Sequence, residues 1–143
     1  VLTELSQRGY RREVVAFIMK HWTKMAEHGT TWETFEPSRG NESFSHAWSA
    51  HPLFHLMQIL GGIRQTAPGW KAVAFDPTFF GDSLQCTVPT PLGPIHTSWK
   101  REGEKVDVRL DIPKGMEGTY QLPGGPTGSV VGKLSKILKA DRL

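Results

Sequence analysis

The chain has 143 residues, 38% hydrophobic and 22% charged, a balance that suits one water-soluble domain or two small packed units with enough apolar material for a core. Its 17 basic and 14 acidic residues leave a net charge of only +3, scattered along the sequence, so composition offers no ground for a nucleic-acid partner. The lone cysteine, Cys86, rules out an intrachain disulfide or a cysteine metal cluster, and no segment reaches the roughly 18 apolar residues of a membrane span, so no membrane partner is expected.

The sequence opens "VLTELSQRGY", without Met, without a visible signal peptide and within an amphipathic helical pattern, so the chain is expected to start partway into a larger protein. Leu2 and Leu5 precede Gly9, a helix stop. Val14, Ile18, Trp22 and Met25 then share one face of a second helix that ends near Gly29, and the short connector predicts an antiparallel helical hairpin. A third helix is expected from Pro52, burying Leu53, Leu56, Met57 and Leu60 until Gly61 and Gly62 stop it.

Beyond Gly62 the period becomes two. "KVDVRLDI" places Val106, Val108, Leu110 and Ile112 on one face and Lys105, Asp107, Arg109 and Asp111 on the other, the pattern of a half-buried antiparallel strand. "REGEK" reads as a hairpin turn to a strand through "PIHTSWK", and "KAVAFD", "SLQCTV" and "EGTYQL" are further short strands. Prolines 89, 91, 94 and 113 fall between strands. From Gly124, "GGPTGSVVGK" reads as a flexible linker running into a weak helix, the basic run "GKLSKILKADRL". No internal repeat is present. The expected class is α+β, helices first and then a small antiparallel β-sandwich.

The chemistry concentrates in "GTTWETFEPSRGNESFSHAWSAHP", Gly29 to Pro52. Glu33 lies between Trp32 and Thr34 in a loop long enough to be functional. A carboxylate partly desolvated beside an indole could exchange protons near neutral pH. Tryptophan faces suit the C–H faces of sugar rings while Glu, His and Asn suit hydroxyls, so Trp32, Glu33, Glu36, Asn41, His46 and Trp48 favour a carbohydrate over a phosphate. The same acid would also serve as a helix cap or plain surface charge. His51 and His55 stand four apart but lack a third ligand and the glutamate of a zinc-protease helix, so no metal and no cofactor is expected. Trp22, Met25, Trp70 and Trp99 read as core, with Trp70 in a "PGW" turn at the junction of helices and sheet, and Cys86 as a buried, inert thiol.

"GTTWETFEP", "SHAWSAHPLFHLMQILGGIR", "PGWKAVAFDP", "VPTPLGPIHTSWKREG" and "VDVRLDIPKGMEGTYQLPGG" together resemble the C-terminal part of bacterial α-L-rhamnosidases of glycoside hydrolase family 78, collinearly from about Leu2 to Gly125. The resemblance implies that residues 1–62 are the last helices of an (α/α)6 barrel of six helical hairpins, 63–123 a C-terminal β-sandwich and 124–143 a tail. It implies inversion at the anomeric carbon by an acid and a base standing about 6.5–9.5 Å apart with a water between them. Glu33 falls on the family's general base, His46 on a histidine that holds rhamnose, and Trp32 and Trp48 on walls or supports. Glu36, three residues on in the same loop, is counted with the substrate contacts and is the only nearby substitute for the general acid, with no reason to face Glu33 across a sugar. The general acid lies in barrel helices outside this chain, so an α-L-rhamnoside and the remainder of the barrel are the implied partners. Alone, the chain is expected to lack significant hydrolase activity and, with an uncovered apolar hairpin face, to self-associate. The competing readings are a non-catalytic sugar-binding or structural module and a six-hairpin glycosidase acting on another sugar.

Overall fold

The computed structural model describes residues 1–36, 40 and 42–139. They form three α-helices, α1 (Leu2–Gln7), α2 (Arg11–Glu27) and α3 (Pro52–Ile59), and eight strands. The strands are β1 (Ile63–Gln65), β2 (Ala72–Phe75), β3 (Ser83–Val88), β4 (Ile95–Glu102), β5 (Lys105–Asp111), β6 (Glu117–Gln121), β7 (Thr127–Val130) and β8 (Lys133–Lys139). By its contacts the chain divides into two units, Val1–Leu56 and Met57–Leu143.

In the first unit, α1 buries no residue, whereas α2 buries Val14, Val15, Ile18 and Met25 along one stripe, with Trp22 half-buried. Gly29, at φ +77°, ends that helix in the left-handed conformation that glycine adopts without a Cβ penalty. The burial expected on α3 holds in part: Leu56, Met57 and Leu60 are half-buried, with Met57 packed against the core of the sheets, whereas Leu53 is not buried. Pro52, His55 and Ile59 are buried, at spacings of three and four, and Leu53 is 76% exposed. Leu53 stands one residue, hence about 100°, off that stripe.

The second unit holds two four-stranded sheets, ordered β1-β2-β6-β7 and β3-β4-β5-β8. Their inward faces share one core that includes Val73 and Phe75 from the first sheet and Trp99, Val106, Val108 and Leu110 from the second. The alternation read from "KVDVRLDI" is met, with Val106, Val108, Leu110 and Ile112 buried. Trp99, 1% exposed, packs edge-on against Phe79 with ring centroids 5.3 Å apart and donates Nε1–H to the Leu60 carbonyl at 3.0 Å. Trp70, at φ +60°, packs half-buried against the same core, and so does Cys86, whose thiol pKa burial pushes up.

Two expectations about the strands are corrected. The sheets are not wholly antiparallel, because β2 pairs with β6 in parallel, Ala72 opposite Glu117. The chain leaves the first sheet after β2, runs β3-β4-β5 through the second, and returns beside β2 in the same direction, the long crossover that a parallel pair requires. Nor is the segment after Gly124 a linker running into a helix. Thr127–Val130 pairs with β6, and Lys133–Lys139 pairs with β5 through seven residues, from Lys105 opposite Lys139 to Asp111 opposite Lys133. Leu134, Ile137 and Leu138 have helical spacing, but β5 needs an edge partner, and pairing with it decides the local structure. Leu138 is buried and Ile137 is 70% exposed, the alternation of a strand. Residues 140–143 of the expected tail lie outside the described residues.

Candidate functional site

The polar segment after α2 is a loop pinned by its own backbone. The Glu33 N–H donates to the Ser43 carbonyl at 2.9 Å, the Ser43 N–H donates to Glu33 Oε2 at 2.9 Å, and the His46 N–H donates to the Thr31 carbonyl at 2.7 Å. The Thr31 hydroxyl closes a second bond to the His46 carbonyl at 2.9 Å. A short ladder therefore sets Glu33 on one run and His46 on the facing one. The short 3-10 helix Ala47–Ala50 is tied back to α2 by Trp22 Nε1–H donating to the Ser49 carbonyl at 2.8 Å.

These ties surround an open hollow of about 400 Å³ lined by Glu33, Trp32, His46 and Trp48, and also by Trp22 and Phe35. Four of the six residues read as a sugar-handling cluster thus line one concavity. Glu36 does not: its carboxylate meets Lys24 Nζ at 3.3 Å on the solvent side of α2. Asn41 lies outside the described residues. Among the described residues Glu33 is the one carboxylate that lines the hollow.

The two tryptophans differ in kind. Trp32 is 5% exposed, with its ring between His28 at 5.1 Å and Phe44 at 5.6 Å and its backbone N–H on Met25 Sδ, so it supports the loop from beneath. Trp48 is 87% exposed and perpendicular to the His46 imidazole, with centroids 6.0 Å apart. Its indole face is open to solvent. The premise that the indole desolvates Glu33 is corrected, because the Glu33 side chain is exposed and Trp32 is turned into the unit's interior. What orients the carboxylate is the Ser43 N–H.

Sequence reasoning missed Phe35 and took Trp22 for plain core. Phe35 is 40% exposed and held by Trp22 and His21, centroids 4.6 and 4.7 Å away. Its place two residues after Glu33 was the signal available in the sequence. His51 also lines the hollow, its Nδ1 3.2 Å from the Trp48 carbonyl, and its ring stands perpendicular to that of His55 at 5.6 Å. Burial, and then the charge of His51, hold His55 below the ordinary imidazole pKa. Among the described residues no three His, Cys, Asp or Glu side chains converge as metal ligands would.

Residues 62–136 match the family model of the bacterial alpha-L-rhamnosidase C-terminal domain. No curated protein matches the chain. Among solved structures, the alpha-L-rhamnosidase from Dictyoglumus thermophilum is similar at 26% identity and a TM-score of 0.70, over 83% of this chain and 15% of that one. The enzyme from Aspergillus terreus is similar in fold at 21% identity and a TM-score of 0.64, over 87% and 15%. The Streptomyces avermitilis enzyme, solved with L-rhamnose, is similar in fold at 18% identity and a TM-score of 0.61, over 72% and 11%. The chain therefore spans between 11% and 15% of the length of these structures.

Proposed function

The chain belongs to the bacterial α-L-rhamnosidase C-terminal domain family, and we propose that it supplies one wall of an inverting α-L-rhamnosidase site, with Glu33 activating the water and His46 contacting the sugar. The observation that carries this reading is the hollow that Glu33, His46 and Trp48 line together although 13 and 15 residues separate the latter two from Glu33 in sequence. The Ser43 N–H engages one carboxylate oxygen, and the other has no protein partner among the described residues. That free oxygen is where a water to be deprotonated would sit. The exposed Trp48 face offers the apolar side of a sugar a surface next to the imidazole.

An inverting pair needs a second carboxyl group across the sugar, about 6.5–9.5 Å from the base. In this reading the acid comes from the larger part of the enzyme, of which this chain would be a small share, and α1 to α3 close a ring of helical hairpins. Preorganised groups on both sides of the sugar supply most of the acceleration, so the isolated chain turns over no rhamnoside.

The test has two arms. This chain alone, assayed on an aryl α-L-rhamnoside, should release no product, and turnover that vanishes in Glu33→Gln would overturn the missing-acid reading. In the complete polypeptide Glu33→Gln should lower kcat by about 10²–10⁴ with KM little changed, the usual range for loss of a general base. An unchanged kcat would remove Glu33 from the mechanism.

A further inference from the structure

The outward face of the sheet β3-β4-β5-β8 carries two cross-strand rows that the proposed catalytic site does not use. Gln85, Ser98, Arg109 and Ser135 stand opposite one another across the four strands. Two residues along each strand, Thr87, His96, Asp111 and Lys133 form a second row in the same register. The row between them points inward, with Thr97 and Leu110 buried, so along this stretch only backbone floors the space between the polar rows. The result is a trough of about 510 Å³.

Its dimensions follow from sheet geometry. Alternate residues on a strand stand about 6.6 Å apart, and four strands at about 4.8 Å spacing span about 14 Å, a slot for roughly two or three linked sugar rings laid across the strands. Its charges are matched internally: Arg109 Nη2 meets Asp107 at 2.7 Å, and Lys133 Nζ lies 3.4 Å from Asp111. No unpaired cation in either row draws in a phosphate or uronate. The Thr87 hydroxyl and His96 Nδ1 are 3.1 Å apart, a contact that restrains the imidazole and engages one of its two nitrogens. The side chains of Gln85, Ser98 and Ser135 have no hydrogen-bond partner among the described residues. Amide and hydroxyl groups that both donate and accept, spaced across a slot, are the complement of vicinal sugar hydroxyls.

We propose that this trough binds a short neutral oligosaccharide, as a site separate from the hollow at Glu33. The ligand class rests on the trough's dimensions and charge balance, not on the role of Glu33. Neither row offers an aromatic platform, so affinity comes from hydrogen bonds and lies in the millimolar range. The site sits in the part of the chain that matches the family model, 62–136, and would hold a glycan chain close to an enzyme that trims it.

The test is an amide-shift titration of the whole ¹⁵N-labelled chain with L-rhamnose, a neutral rhamnose trisaccharide and a trigalacturonate. Shifts from the neutral trisaccharide should gather on β3, β4, β5 and β8 and saturate at lower concentration than with the monosaccharide. Gln85→Ala with His96→Ala should weaken that binding by roughly tenfold while the remaining amide dispersion stays unchanged, and Glu33→Gln should leave it intact. No shifts on these strands, shifts confined to the segment from Trp32 to His51, or tighter binding of trigalacturonate would each overturn the proposal.

Discussion

The two units use apolar residues in opposite ways. Among the described residues, Met57–Leu143 builds a common core of fifteen buried hydrophobic residues and exposes three large hydrophobics, Leu92, Val131 and Ile137. The described residues of Val1–Leu56 bury five large hydrophobics, Val14, Val15, Ile18, Met25 and Trp32, and expose ten, among them Phe17, Met19, Phe35, Phe44, Trp48, Leu53 and Phe54. A unit that closes its core on itself draws stability from burial, about 25 cal/mol per Å² of apolar surface removed from water. A helical unit that leaves aromatic faces in solvent forgoes much of that gain. Exposed apolar faces of that extent are the kind of surface that a ligand or a further protein surface can cover. Among the described residues one unit encloses its large hydrophobics and the other leaves many of them in solvent.

The sharpest way to break that contrast is to damage the better core. Trp99→Ala removes the largest fully buried side chain of the sheets together with its hydrogen bond to the Leu60 carbonyl and its contact with Phe79. The expected loss is about 3–5 kcal/mol, because a large cavity opens where the surrounding strands cannot collapse. A urea titration followed by near-ultraviolet circular dichroism would measure it. A loss below about 1 kcal/mol would mean that the two sheets do not depend on a single core.

How much of this was legible in the sequence depends on where the deciding force lay. "KVDVRLDI" was readable because alternation and burial coincide along it, and α2 because Val14, Ile18, Trp22 and Met25 repeat at helical spacing. "GKLSKILK" was misread because Leu134, Ile137 and Leu138 satisfy a helical period while the partner that makes them a strand, β5, ends more than twenty residues earlier. The parallel pairing of β2 with β6 is likewise a non-local fact. In the loop, residue types were enough to gather Glu33, His46, Trp32 and Trp48, but not to separate the buried indole from the exposed one. That distinction comes from Met25, His28 and Phe44 closing around Trp32.

A gentler probe of the helical unit is pH. His55, 7% exposed, is held below the ordinary imidazole pKa of 6.5 by burial and then by the charge of His51. A depressed histidine takes up its proton more readily in the unfolded chain. Its contribution to stability is therefore complete above pH 6.5 and is lost as the pH falls from 6.5 toward the lowered folded value, below which this group adds no further slope. Helical circular dichroism melts across that window should show stability declining with acidity, and His55→Gln should flatten the decline. An unchanged slope in the variant would assign the effect elsewhere.

The smallest effect tests the division of labour between the two loop acids. Glu36 and Lys24 are both largely exposed, at 82% and 56% for their side chains, and meet at 3.3 Å. An ion pair that open to water contributes about 0–1 kcal/mol, because solvent screens it and two flexible side chains must be held still. Glu36→Gln should therefore shift the thermal midpoint hardly at all and, under the proposed role of Glu33, should leave kcat of the complete polypeptide unchanged where Glu33→Gln lowers it. The reasoning is positional: the Glu33 carboxylate is held by the Ser43 N–H at the hollow, whereas Glu36 is drawn to α2 and does not line it. A large fall in kcat on Glu36→Gln would mean that the loop rearranges when the site is assembled, and the hollow seen here would then be a resting form of that wall.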